Sequence, residues 1–143
     1  MMREPVMTPA EIDRFIETDF PQVRGFCSVE SLGPMRGTFR MTPGDDHLRP
    51  GGTVSGPTLF TLADCAFYLT LMAMIGPKAL AVTTNASIDF MRKPAAGAAI
   101  LAQARILKLG RVLAVGDVMM TNEGQDEVLA RAGLTYSIPP ARA

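Results

Sequence analysis

Histidine is nearly absent. His47 is the only one in 143 residues, which rules out any two-histidine metal site and argues against a Ser-His-Asp triad. Only two cysteines occur, Cys27 and Cys65, with no CxxC or Cys-His spacing, so two reduced thiols are expected rather than a disulfide framework. Neither sign of charge is in excess: 14 Lys and Arg balance 14 Asp and Glu, leaving no net field to gather nucleic acid or an anionic membrane. The first residues, MMREPVMTPAEIDRF, lack the apolar stretch of a signal peptide, and a cytoplasmic protein is the expectation. The chain fits one domain, residues 1–143, with residues 1–24 as an N-terminal helical extension.

What the chain does have is one long apolar run. SGPTLFTLADCAFYLTLMAMIG, residues 55–76, holds a single charged side chain, Asp64, at its centre. The run approaches the length of a membrane span, but a central acid, Thr61, Thr70, Tyr68 and the absence of basic flanks argue for a core helix instead. Ser55 is placed to cap it and Gly76 to end it. Thr8-Pro9-Ala10-Glu11 combines a capping Thr, a first-turn Pro and a Glu three residues after the cap, predicting a short helix over 9–19. Strands are predicted near 26–32 and 35–41, and at 81–91, 98–109, 111–121 and 127–137, where apolar residues alternate.

In AVTTNASIDFM, Val82 to Phe90 on even positions predicts a buried face, with Asn85 and Ser87 on the wetter one. Small residues share one parity later on: Ala102 and Ala104, Ala114 and Gly116, Ala130 and Ala132. They let a bulky element approach the sheet, and the apolar helix is the only candidate. The fold class is therefore α+β, an antiparallel sheet of about six strands curled around one long central helix. Such a sheet covers the helix on one side only, which predicts a homo-oligomer.

A carboxylate among leucines and phenylalanines must lose hydration, so Asp64 needs either a structural partner or a task. Helical spacing aligns Thr61, Asp64 and Tyr68 as a polar seam opposite Leu62, Ala66, Leu69 and Ala73. Gly56, just inside the helix, offers a backbone N–H with no intrahelical acceptor, an oxyanion donor by nature. Eight residues along a helix amount to about 12 Å, so Gly56 and Asp64 of one chain cannot reach the same carbonyl. Shared chemistry would require the donor from one subunit and the acid from its neighbour.

The segment HLRPGGTVSGPTLFTLADCAF, then VTTNASIDFMRKP and later KLGR, resembles the hotdog-fold acyl-CoA thioesterases of the phenylacetate-degradation (PaaI-like) type over roughly residues 25–138. His47, Gly56, the Leu62-Ala63-Asp64 triplet, Asp89, Phe90 and Pro94 carry the likeness. The resemblance implies hydrolysis of an acyl-CoA to free acid and coenzyme A, with no cofactor beyond the coenzyme A of the substrate. It implies that Asp64 is nucleophile or general base and that the Gly56 amide polarises the thioester carbonyl. It further implies dimers paired into homotetramers. Three positions depart from the family: Arg49 stands where Asn or Gln is usual, Ser55 replaces the second His and Pro57 the second Gly.

Candidate substrate-binding residues are His47, Arg49, Ser55, Thr61, Tyr68, Asn85 and Ser87, with Arg92, Lys93, Lys108 and Arg111 for the phosphates of coenzyme A. Arg49 is a fixed cation able to pair with Asp64 or with phosphate. The alternative to catalysis is a hotdog protein that binds acyl-CoA or another apolar ligand without cleaving it.

Overall fold

The computed structural model describes residues 3–77 and 80–140. In chain order it contains α1 (Pro9–Asp19), β1 (Ser28–Gly33), β2 (Arg36–Met41), α2 (Gly56–Ile75), β3 (Val82–Phe90), β4 (Ile100–Leu109), β5 (Leu113–Asn122) and β6 (Val128–Ser137). Single 3₁₀ turns occur at Pro21–Val23 and Asp45–His47.

Local chemistry sets the helix ends. Thr8 Oγ1 accepts from the Glu11 N–H at 3.2 Å, while Glu11 accepts from the Thr8 N–H at 3.0 Å, completing the expected capping box. Ser55 caps α2 by accepting from the Thr58 N–H at 3.2 Å, and Gly76 closes it at φ 89°, a conformation that favours glycine.

All strand pairs are antiparallel, in the order β1-β2-β4-β5-β6-β3. α2 lies across the concave face of this sheet. It is long and apolar enough to cross a membrane by length and composition, with a mean hydropathy of 1.7, yet 78% of that window is buried inside the fold. The small residues of one parity lie beneath it: Ala102, Ala104, Ala114, Ala130 and Ala132 are all buried. Gly116 marks the closest approach, since a Cβ there would come within 2.1 Å of the Arg105 carbonyl oxygen and 2.5 Å of the Phe67 ring. This is the helix-in-sheet arrangement of the hotdog fold, with α1 as its short N-terminal helix.

Two expectations are corrected. β3 keeps its two faces only in its centre, where Ala86 and Ile88 are half-buried against the core and Asn85, Ser87 and Asp89 are exposed; it is an edge strand, and Val82 and Phe90, expected on the buried face, remain 56% and 54% exposed. Its alternation also breaks. The register with β6 runs Thr83↔Tyr136 and then Asn85↔Thr135, so Thr84 is an extra residue, a β-bulge. Beyond the bulge Thr83 turns toward the helix together with Tyr136, whereas Asn85 and Ser87 stay exposed on the outer face.

Candidate active site

The polar seam of α2 survives only over its first turns. Pro57, Phe60 and Thr61 are exposed and Asp64 is half-buried; Tyr68 is covered, with the Phe20 ring edge-on at 5.4 Å and Phe15 at 6.1 Å. Thr61 donates to the Pro57 carbonyl at 3.0 Å and does not line the cavity around Asp64, contrary to its expected place.

Asp64 is not stranded in apolar surroundings. Its Oδ1 accepts two hydrogen bonds, from the Tyr136 hydroxyl at 2.6 Å and from Thr83 Oγ1 at 2.8 Å. Burial, then the bond to Asp64, pushes the Tyr136 phenol well above its ordinary range, so it serves as a donor. With Oδ1 held by two hydroxyls, Oδ2 is the carboxylate oxygen with no hydrogen bond among the described residues. The cavity around Asp64 has a volume of about 380 Å³ and is lined by Asp64, Cys65, Tyr68, Thr83 and Tyr136, with Asp19, Phe20 and Gln22 from the end of α1 and its following turn. Burial raises the Cys65 thiol strongly, so it remains protonated. Neither Thr83 nor Tyr136 was singled out from sequence. Thr83 was assigned to the wrong face because the bulge is invisible in the residue pattern, and Tyr136 lies 72 positions from Asp64.

The N-terminal end of α2 forms a second concavity. Of the first backbone amides in α2, Pro57 has none, Thr58 donates to the Ser55 hydroxyl and Leu59 to the Ser55 carbonyl. Among the described residues the Gly56 N–H is left without an acceptor, so the proline that departs from the family pattern isolates this one donor. A cavity of about 680 Å³ adjoins it, with Arg49, Arg92 and Lys93 supplying cations and Phe90 and Met91 apolar surface. A Cβ on Gly56 would sit 3.2 Å from Phe90 Cζ, so glycine keeps that ring close to the helix end.

The remaining sequence candidates divide between these places and others. Arg49 adjoins Gly56 and forms no ion pair with Asp64 of its own chain. His47 holds its loop: Nδ1 accepts from the Gly44 N–H at 2.8 Å, its carbonyl accepts from Ser55, and its ring meets Phe26 edge-on. Arg92 is partly engaged, with Glu127 at 3.2 Å and the Val128 carbonyl at 2.9 Å. Lys108 and Arg111 are exposed at the β4–β5 hairpin, and neither lines the Asp64 or the Gly56 cavity. Among the described residues no three His, Cys, Asp or Glu side chains gather so as to hold a metal ion.

The family model described as the thioesterase superfamily matches residues 51–129, which spans α2 with Gly56 and Asp64, the strands β3 to β5 and the first residues of β6. This chain belongs to the thioesterase superfamily. A candidate thioesterase from Silicibacter sp. TM1040 is 49% identical, superposes with a TM-score of 0.90 and covers 98% of this chain and 97% of its own. A mutant of the phenylacetic acid degradation protein PaaI from Thermus thermophilus is 30% identical, with a TM-score of 0.72 over 83% of this chain and 99% of its own. A Streptococcus mutans UA159 protein solved with acetyl CoA bound is 25% identical, with a TM-score of 0.72 over 82% and 91% of the two chains. No curated protein matches. The superfamily member described here is a PaaI-like thioester hydrolase of the hotdog fold.

Proposed function

We propose that this thioesterase hydrolyses an acyl-CoA at two equivalent sites, each formed between two copies of the chain. The observation that carries the reading is the separation of Asp64 from the free Gly56 amide along one helix, combined with the unpaired edge of β3. β3 runs from Val82, beside the Asp64 cavity, to Phe90, beside Gly56. Antiparallel pairing of this edge with its own copy would lay Phe90 of one chain near Val82 of the other. The acid of each subunit then faces the amide and cations of its neighbour. Exposed Val82, Phe90 and Met91 supply apolar surface for such a contact, and two dimers could pair further into a tetramer.

In this site the thioester carbonyl lies between Oδ2 of Asp64 and the Gly56 N–H. Acting as general base, Asp64 takes a proton from water while the hydroxide adds to the carbonyl carbon; the oxyanion is met by the Gly56 amide. The C–S bond then breaks and the thiolate of coenzyme A recovers the proton. Acting instead as nucleophile, Asp64 forms a mixed anhydride that water cleaves. No cofactor enters either route. Arg49, Arg92 and Lys93 suit the phosphates of coenzyme A, and acetyl CoA in the Streptococcus mutans relative supports that ligand class.

Thiol release measured over short, medium, long and aromatic acyl-CoAs, with wild type beside Asp64→Ala, tests the chemistry. At least one ester should be turned over, and the substitution should remove that turnover by orders of magnitude while the protein stays folded. Mixing tests the sharing of sites: Asp64→Asn and Gly56→Val, each inactive alone, should together regain about one quarter of wild-type activity after random reassociation of dimers. Recovery of none would refute the shared site.

A further inference from the structure

The acyl group has one place to go. With coenzyme A on the cationic Gly56 side and the thioester at Asp64, the acyl chain continues into the Asp64 cavity, a step that rests on the function proposed above. The cavity's apolar walls combine aromatic rings with Cys65, Ala81 and Val82: Tyr136 and Tyr68 lie tilted against each other at 5.8 Å, and Phe20 meets Tyr68 edge-on. Beyond Tyr68, one helical turn or about 6 Å from Asp64, the wall changes character and is made by Asp19 and Gln22.

Asp19 is poorly explained by the stability of its own helix. It is the last residue of α1, where the helix dipole disfavours an anion, and it forms no ion pair among the described residues. Among the described residues its carboxylate accepts only from the neighbouring Thr18 hydroxyl, at 2.8 Å. It acts on the cavity nonetheless: burial first, and then the Asp19 charge, push the Tyr68 phenol up to about 12. Among the described residues the cavity is thus lined by two carboxylates and no cation.

We propose that Asp19 is a specificity-determining residue whose charge turns away acyl groups bearing a second carboxylate and reserves the cavity for neutral ones. A distal carboxylate would add a third negative charge to a space of about 380 Å³ that already holds Asp64 and, at its exposed rim, Asp19. Gln22, an uncharged amide beside it, neither adds to the repulsion nor relieves it.

The experiment compares glutaryl-CoA with hexanoyl-CoA as the ratio of their kcat/KM values in the full-length protein. In Asp19→Asn the ratio should rise about three- to tenfold at low ionic strength, and the gain should shrink as salt is added. Gln22→Lys, which places a cation at the same wall, should raise the ratio in the same direction. An unchanged ratio in both variants would overturn the proposal. Failure of the wild type to cleave any acyl-CoA would instead sink the function on which it rests, so the two failures are distinguishable.

Discussion

Tyr136→Phe is the sharpest perturbation this site offers. It removes one hydroxyl from a ring that is 3% exposed and leaves the contacts with Phe67 and Tyr68, at 5.6 and 5.8 Å, intact. No cavity of consequence forms, so the change acts on the hydroxyl's bonds, chiefly the 2.6 Å hydrogen bond to Asp64 Oδ1, with a longer one to the Asp64 carbonyl at 3.4 Å. A hydrogen bond to a charged group contributes about 1.5–3 kcal/mol. Asp64 is half-buried and keeps Thr83 at 2.8 Å, so water replaces part of the loss, and global stability should fall by only about 1 kcal/mol. The effect on turnover should be larger than on folding. With a single donor on Oδ1 the carboxylate can rotate, and a small misplacement of a reacting group lowers the rate steeply. Steady-state thiol release should show kcat down roughly tenfold with KM nearly unaltered. Thr83→Val should act in the same direction, and combining the two should cost more than either. A Tyr136→Phe enzyme with wild-type kcat and a lowered melting temperature would refute the orienting role and leave the bond a purely structural one.

Other consequences follow from the packing. Gly116→Ala should destabilise the protein by about 1–3 kcal/mol in urea unfolding, because its methyl group would meet the Arg105 carbonyl and the Phe67 ring. Thr8→Ala should cost about 1 kcal/mol by loss of the α1 cap, without changing turnover. Burial and the nearby Asp13 charge raise the Cys27 thiol from 9.0 to about 11, so the folded state retains a proton that the unfolded chain has released. Its contribution to stability is therefore complete below about pH 9 and lost as pH rises toward about 11. Melting temperatures across that window should fall, and less steeply in Cys27→Ala. Phe90→Glu, which sets a charge on the exposed β3 edge, should yield a smaller species by light scattering and abolish turnover together with assembly.

The elements were legible because their signals are local. Thr8 and Glu11 lie three residues apart, Ser55 and Gly76 bracket an apolar run, and the alanines of β4, β5 and β6 repeat with period two. Periodicity also made Asp64 conspicuous as the one charge in that run. It failed where tertiary contacts override it. The alternation of β3 predicts a buried face along its whole length, but on this edge strand, paired only with β6, Ala86 and Ile88 pack against the core while Val82 and Phe90 stay exposed. Thr61 shares a helical stripe with Asp64 and Tyr68, yet the stripe is cut by Phe15 of α1 and by Phe20 just past its end, which cover Tyr68 and leave Thr61 outside. Lys108 and Arg111, the two basic ends of the family-like KLGR segment, lie on a hairpin away from both cavities.

By itself, then, the sequence determined that a capped apolar helix carrying one acid lies against an antiparallel sheet with small residues beneath it, since capping, periodicity and residue size act over a few positions. Only the tertiary structure decided what the acid touches. A single extra residue, Thr84, rotates Thr83 toward the helix, and β6 brings Tyr136 to the same oxygen across 72 positions of chain. Such a meeting depends on strand register, which the pattern of one strand cannot specify once a bulge has shifted it.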